Sequence, residues 1–156
     1  MADELLFTKA HKIATITLNR PDKLNTFHDG MLADWAAALR ECQADDAINV
    51  VVLTAAGHVF CAGGDLGTMG RRDGNPAWDM GQYIRQNVHP VARAVDALHK
   101  PYICALNGTA TGAGLEWASL AATEPRATAI RLRPSAPTTV TAAPADSLAI
   151  TRFGSP

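Results

Sequence analysis

Ile48-Asn49-Val50-Val51-Val52-Leu53-Thr54 is followed, after Ala55-Ala56-Gly57-His58, by Val59-Phe60-Cys61-Ala62-Gly63-Gly64-Asp65-Leu66. The first seven residues are short, β-branched and almost continuously apolar, which predicts a strand buried on both faces, as in a parallel sheet. Residues 55–58 turn the chain, residues 59–62 form a second short apolar segment, and Gly63-Gly64 breaks regular structure where the backbone can be approached closely. Toward the N-terminus, Ile13–Leu18 mixes β-branched and apolar side chains with alternating Thr and stops at the turn cluster Asn19-Arg20-Pro21-Asp22. From Asp29, with that residue available as a cap and Arg40 toward the other end, Leu32, Trp35, Ala36, Leu39 and Cys42 recur at helical spacing. Strand, helix, strand is the order of an α/β fold.

The same order recurs downstream. Residues 67–76 read as a polar, glycine-bearing loop. Met80, Ile84, Val88, Val91, Val95 and Leu98 then trace one face of a long helix, with a kink expected at Pro90 because it lacks a backbone donor. Residues 101–106 predict another buried strand, residues 107–114 (NGTATGAG) a loop of small residues, and Leu115-Glu116-Trp117-Ala118 the start of a helix.

Composition narrows the function. The chain has 156 residues, 14 Lys and Arg against 15 Asp and Glu, and a net charge of −1, so it supports one domain without the concentrated basic surface that nucleic acid requires. With 47% hydrophobic and 19% charged residues it can bury a core. Cys42, Cys61 and Cys104 are widely spaced with no CxxC pair, which points away from a disulfide framework or a metal site and toward a reducing cytoplasm. Two acids open the N-terminus where a signal peptide needs bases, and no apolar run approaches the ~18 residues of a membrane span.

Residues 121–156 differ from the rest: nine Ala, six Thr, five Pro, three Ser and four Arg make 27 of these 36 positions. Prolines at 125, 134, 137 and 144 interrupt any helix or central strand. The expected division is a core over residues 1–120 and an irregular tail over 121–156, whose composition equally fits a linker or a chain whose coding frame has been lost.

Two strand-to-helix junctions, Cys61-Ala62-Gly63-Gly64-Asp65 and Gly112-Ala113-Gly114, expose backbone N–H groups beside residues too small to shield them. If the fold brings them together, both can donate to one carbonyl oxygen and stabilise charge that develops there, as an oxyanion hole does. Ordinary tight turns are the alternative. A phosphate cradle fits less well, because no Gly-Lys-Ser/Thr follows either loop and Trp117 stands where a dinucleotide motif needs its third glycine.

These residues resemble the crotonase superfamily of enoyl-CoA hydratases and isomerases. The likeness rests on Asn19-Arg20-Pro21 with Leu24-Asn25, on Val51-Val52-Leu53-Thr54, on Phe60-Cys61-Ala62-Gly63-Gly64-Asp65-Leu66, and on Lys100-Pro101 with Asn107-Gly108 and Gly112-Ala113-Gly114. It runs in order from about Leu5 to Trp117. The resemblance implies a crotonase-like spiral of ββα units that binds an acyl-CoA or enoyl-CoA thioester, with the N–H groups of Gly64 and Ala113 on the thioester carbonyl. It places Ala62, Gly63, Asp65, Leu66 and Gly112 beside them at the substrate, and Glu116 as acid/base. It requires no separate cofactor, since coenzyme A is part of the substrate, and no metal, membrane or nucleic acid. Either hydration or double-bond isomerisation is open, as is a non-catalytic acyl-CoA-binding role.

Asp65 is expected to orient its loop, His58 to be solvated, and Cys61 and Cys104 to be core residues; Arg20 and Lys23 are expected to be simply exposed, with electrostatic contact to CoA phosphates as the alternative. The family pattern fades after Trp117; Arg152-Phe153-Gly154-Ser155-Pro156 resembles the segment preceding the second glutamate of hydratases, and no such glutamate follows. The sequence is accordingly expected to behave as a truncated member with low stability, weak or absent hydration and exposed apolar faces on the helix over residues 77–98. It is not expected to complete the trimers or hexamers of full members.

Overall fold

The computed structural model describes residues 3–69, 79–123 and 127–131. β1 (Leu5–Ala10) and β2 (Ile13–Leu18) form an antiparallel hairpin with Leu5 opposite Leu18 and Ala10 opposite Ile13. His11 and Lys12 turn it with φ of 50° and 65°, the paired left-handed conformation that matches strand twist. No Asn-Gly or Asp-Gly pair marks this hairpin, which is why the sequence reading begins only at β2.

α1 (Asp29–Ala44) crosses to β3 (Val50–Ala55), which lies parallel to β2 with Ile13 opposite Val50. His28, not Asp29, caps α1: its Nδ1 accepts the Gly30 N–H at 3.2 Å, and Asp29 becomes the first helical residue, where its charge faces the helix's positive end. β3 is not buried on both faces. Val51, Leu53 and Ala55 are buried beside Ala14, Ile16 and Leu18 of β2, whereas Val50, Val52 and Thr54 are only half covered.

The main sheet has the order β1-β2-β3-β5-β7, where β5 is Tyr102–Leu106 and β7 is Ala127–Arg131, both parallel to β3. A second sheet pairs β4 (Val59–Cys61) with β6 (Thr109–Ala110), Val59 opposite Thr109 and Cys61 opposite Ala110. Each later turn of the chain therefore contributes one strand to each sheet and then a helix, the expected spiral of ββα units. The irregular tail gives way at two places: α5 (Ala113–Thr123) runs past residue 120, and β7 extends the sheet beside β5. The other tail residues lie outside the described residues, as do residues 70–76 of the expected loop, whose start forms the short α2 (Leu66–Met69).

The long helix of residues 80–96 is split into α3 (Met80–Tyr83), a π turn (Ile84–Val88) and α4 (His89–Asp96). Pro90 stands in the first turn of α4. Its ring would meet the Gln86 carbonyl in a continuous α-helix, and the wider π turn just before it relieves that clash, with the His89 N–H bonding to the Ile84 carbonyl. An extra residue in one turn re-aims everything before it. The single apolar stripe read from the sequence thus has two destinations: Val91, Val95 and Leu98 enter the core, while Met80 and Ile84 remain 40% and 36% exposed beside the glycine loops.

Trp35 of α1 is fully buried, and its ring lies 5.0 Å from that of Trp117 on α5, with Phe27 edge-on to Trp117 at 6.2 Å. Burying each such side chain contributes roughly 1.5–3 kcal/mol, so this cluster fastens α5, and the loop before it, to the core. Asn25 does the same by polar means. Fully buried, it accepts the Arg20 N–H through Oδ1 at 2.8 Å and donates from Nδ2 to the carbonyls of Ala56 and Val59, each at 2.8 Å. It joins the turn after β2 to the turn between β3 and β4. Asn25→Ala leaves three part-buried backbone groups without their Asn25 partner and is expected to cost about 2–4 kcal/mol in urea unfolding; a loss below about 1 kcal/mol would show that water replaces these bonds without penalty.

Candidate functional site

β4 delivers Cys61 to the first loop. Gly63 follows with φ of 103°, a conformation that side chains rarely adopt. A one-residue bridge joins Phe27 to Gly64: the Phe27 N–H donates to the Gly63 carbonyl at 3.0 Å and the Asp65 N–H to the Phe27 carbonyl at 2.9 Å. The bridge uses the groups on either side of Gly64 and spares its own N–H, which has no protein acceptor among the described residues.

β6 delivers the second loop. The Thr111 N–H donates to the Cys61 carbonyl at 3.0 Å, and the N–H groups of Gly114 and Leu115 close the first turn of α5 onto Thr111 and Gly112 at 3.0 Å each. Ala113 is the first residue of α5, so its N–H has no intrahelical acceptor, and none of the other described residues supplies one. The loops touch. A Cβ on Gly63 would lie 3.5 Å from the Ala113 nitrogen, and one on Gly114 would come to 2.3 Å from the Cys61 carbonyl oxygen, a separation that no side chain permits.

The residues picked from the sequence come together. Ala62, Gly63, Gly64, Asp65, Leu66, Gly112, Ala113 and Glu116 all line one cleft of about 700 Å3. Leu24, Phe27, Met80, Tyr83, Ile84 and Val88 also line it and were not assigned to a site by sequence reasoning. The helical stripe of Met80, Ile84 and Val88 was visible, but an apolar stripe alone does not say which surface it faces.

Glu116 is exposed in the first turn of α5, its carboxylate at the positive end of the helix. Asp65 is the other carboxylate among the described lining residues, and it is engaged: Oδ2 lies 2.9 Å from Arg20 Nη2 and Oδ1 accepts the Gly67 N–H at 2.8 Å. Burial pushes its carboxyl up, but the Arg20 guanidinium and the backbone bonds from Gly67 and Thr68 outweigh this and hold it below the usual carboxylate range. Asp65 orients its loop, as expected. Arg20 is not the exposed cation expected; its side chain is 11% exposed and holds Glu4 and Asp65. Lys23 and His58 are exposed.

Cys61 and Cys104 are buried free thiols, pushed up by burial, Cys104 to about 12, which fits small core residues and not nucleophiles. Among the described residues no group of three or more His, Cys, Asp or Glu could hold a metal ion, and no helix is long and apolar enough to cross a membrane.

The chain belongs to the enoyl-CoA hydratase/isomerase family, whose model matches residues 8–123. It is 44% identical over 102 residues to 1,2-epoxyphenylacetyl-CoA isomerase of Escherichia coli K12, covering 65% of this chain and 39% of that protein. It is 38% identical over 116 residues to the Mycobacterium tuberculosis protein named "Probable enoyl-CoA hydratase EchA14", covering 74% and 44%. An enoyl-CoA hydratase structure from Mycobacterium marinum superposes with a TM-score of 0.66 at 32% identity, over 75% of this chain and 54% of that one. The chain thus spans less than half the length of these two curated relatives.

A carboxylate whose folded value is depressed stabilises the fold above its unfolded value and loses that contribution as pH falls through the folded one. Asp65→Asn is therefore expected to lower the urea midpoint at neutral pH, with the difference from the parent protein shrinking as pH drops below the ordinary 3.8. A difference independent of pH would mean that the charge of Asp65 contributes nothing.

Proposed function

We propose that the cleft binds an enoyl-CoA thioester with its carbonyl oxygen between the N–H groups of Gly64 and Ala113, and that Glu116 serves as acid/base in the addition of water. The observation that carries this reading is the pair of amides, on two touching loops, that no acceptor among the described residues engages. Leu24, Phe27, Met80, Ile84 and Val88 offer the acyl group an apolar wall. Family membership supports a CoA-thioester substrate.

Polarising the thioester carbonyl makes the β-carbon electrophilic. Glu116 takes a proton from water as the water oxygen bonds to the β-carbon, and the resulting enolate keeps its charge between the two amides until the protonated Glu116 returns that proton to the α-carbon. A backbone donor aimed at such an oxygen lowers the barrier by roughly 3–4 kcal/mol. This scheme needs no group beyond the substrate's own coenzyme A. Three buried unpaired thiols support a reducing, cytoplasmic setting.

Double-bond isomerisation is a second reading, favoured by one observation: with Asp65 tied to Arg20, Glu116 is the one uncommitted carboxylate among the described lining residues. A single carboxylate can remove a proton at one carbon and return it at another.

Purified full chain mixed with a short-chain 2-enoyl-CoA distinguishes these readings. Loss of the enoyl-thioester absorbance with gain of one water reports hydration; a shifted double bond at constant mass reports isomerisation. Glu116→Gln is expected to cut turnover by about 10²–10⁴-fold while thioester affinity is largely kept. Affinity without turnover in the parent protein would leave a binding role only, and absence of thioester affinity would overturn the proposal.

A further inference from the structure

Arg20 sits in the turn after β2, yet its guanidinium reaches three separate segments. Nη1 donates to the Thr26 carbonyl at 2.6 Å, Nη2 lies 2.9 Å from Asp65 Oδ2, and Nε is 3.0 Å from Glu4 Oε1, close enough for an ion pair though off the line of a hydrogen bond. The side chains of Arg20 and Asp65 are only 11% and 18% exposed, so this pair is screened far less than one on an open surface.

Two of the three groups held by the guanidinium, the Thr26 carbonyl and the Asp65 carboxylate, belong to residues that flank the bridge that carries Gly64. Thr26 immediately precedes Phe27, whose N–H and carbonyl make the two bridge bonds; Asp65 immediately follows Gly64 and donates one of them. The peptide plane of Gly64 is thus clamped between two residues that a single planar cation aligns. Stability alone, which the depressed Asp65 carboxyl already supplies, does not require a planar cation that also holds the Thr26 carbonyl. What it supplies here is a fixed direction for the N–H between the clamped groups. With its arms so engaged, Arg20 is not free to receive a substrate phosphate.

We infer that Arg20 is a positioning residue that, acting through Asp65 and the Phe27–Gly64 bridge, aims the Gly64 N–H at the thioester carbonyl. The inference rests on the carbonyl-binding reading above. Lysine cannot replace it, since a point charge can neutralise Asp65 but cannot hold the Thr26 carbonyl and the Asp65 carboxylate in one plane.

Two ligands separate positioning from general support: a saturated acyl-CoA thioester and the matching S-alkyl-CoA thioether, in which a methylene replaces the carbonyl. Calorimetric titration of the full chain gives each affinity, and their ratio reports carbonyl recognition alone. The parent protein is expected to prefer the thioester. In Arg20→Lys and Asp65→Asn the thioether affinity is expected to stay within about twofold, while the thioester preference falls by about tenfold, equivalent to ~1.4 kcal/mol. Circular dichroism and a cooperative melt verify folding. Should Arg20→Lys not fold, Asp65→Asn, which leaves the guanidinium on Thr26, carries the test. Retained preference in the folded variants, or equal losses for both ligands, overturns the inference. A parent protein that binds both ligands equally well instead overturns the carbonyl-binding reading, and with it this one.

Discussion

The close contact of two strand-end loops is the constraint on which the rest depends. The turn into α5 can lie on the Cys61 carbonyl only because Gly114 has no side chain, and that contact sets Gly63 against the Ala113 nitrogen. Neither loop makes a site alone. Each leaves one amide without an acceptor among the described residues, for a local reason: Gly64 lies between the two bonds of a one-residue bridge, and Ala113 opens a helix. Parallel pairing of β4 with β6 then brings both amides to one cleft wall. A donor left free in this way is already oriented, so binding a carbonyl there requires no reorganisation of the protein.

The polar groups behind these loops have a different task from the apolar core. Trp35, Trp117 and Phe27 hold α5 against α1 through area and shape. Asn25 and Arg20 instead fix directions, since hydrogen bonds to backbone carbonyls constrain peptide planes in a way that packing does not. The π turn before Pro90 adds a third device. By dividing one apolar stripe, it lets the same helix seal the core with Val91 and Val95 and line the cleft with Met80 and Ile84.

Much of this was legible in the sequence because the signals are local. Strong β-branched runs mark β2 and β3, and helical spacing marks α1. Gly63-Gly64 and Gly112-Ala113-Gly114 announce chain reversals with exposed amides, and all eight residues chosen from them and from Glu116 line one cleft. The misses are non-local. Arg20 reads as an exposed cation until Glu4, Thr26 and Asp65 are seen to converge on it. β1 is an edge strand closed by His11-Lys12, a turn without a glycine. β7 hides in an Ala- and Thr-rich stretch between Pro125 and Pro134, where proline content outweighs the short alternation of Ala127–Arg131. The π turn follows from one proline, but sequence alone does not say whether such a residue kinks a helix or widens it.

Isotope-edited infrared spectroscopy of a bound acyl-CoA, labelled with carbon-13 at the thioester carbonyl, reads the central claim at the atom concerned. The account predicts that the carbonyl band moves to lower frequency on binding, and that Ala113→Pro, which removes one N–H at a helix position where proline is tolerated, reverses part of that shift. A bound thioester whose carbonyl absorbs as it does free in water, in the parent protein and the variant alike, would contradict it.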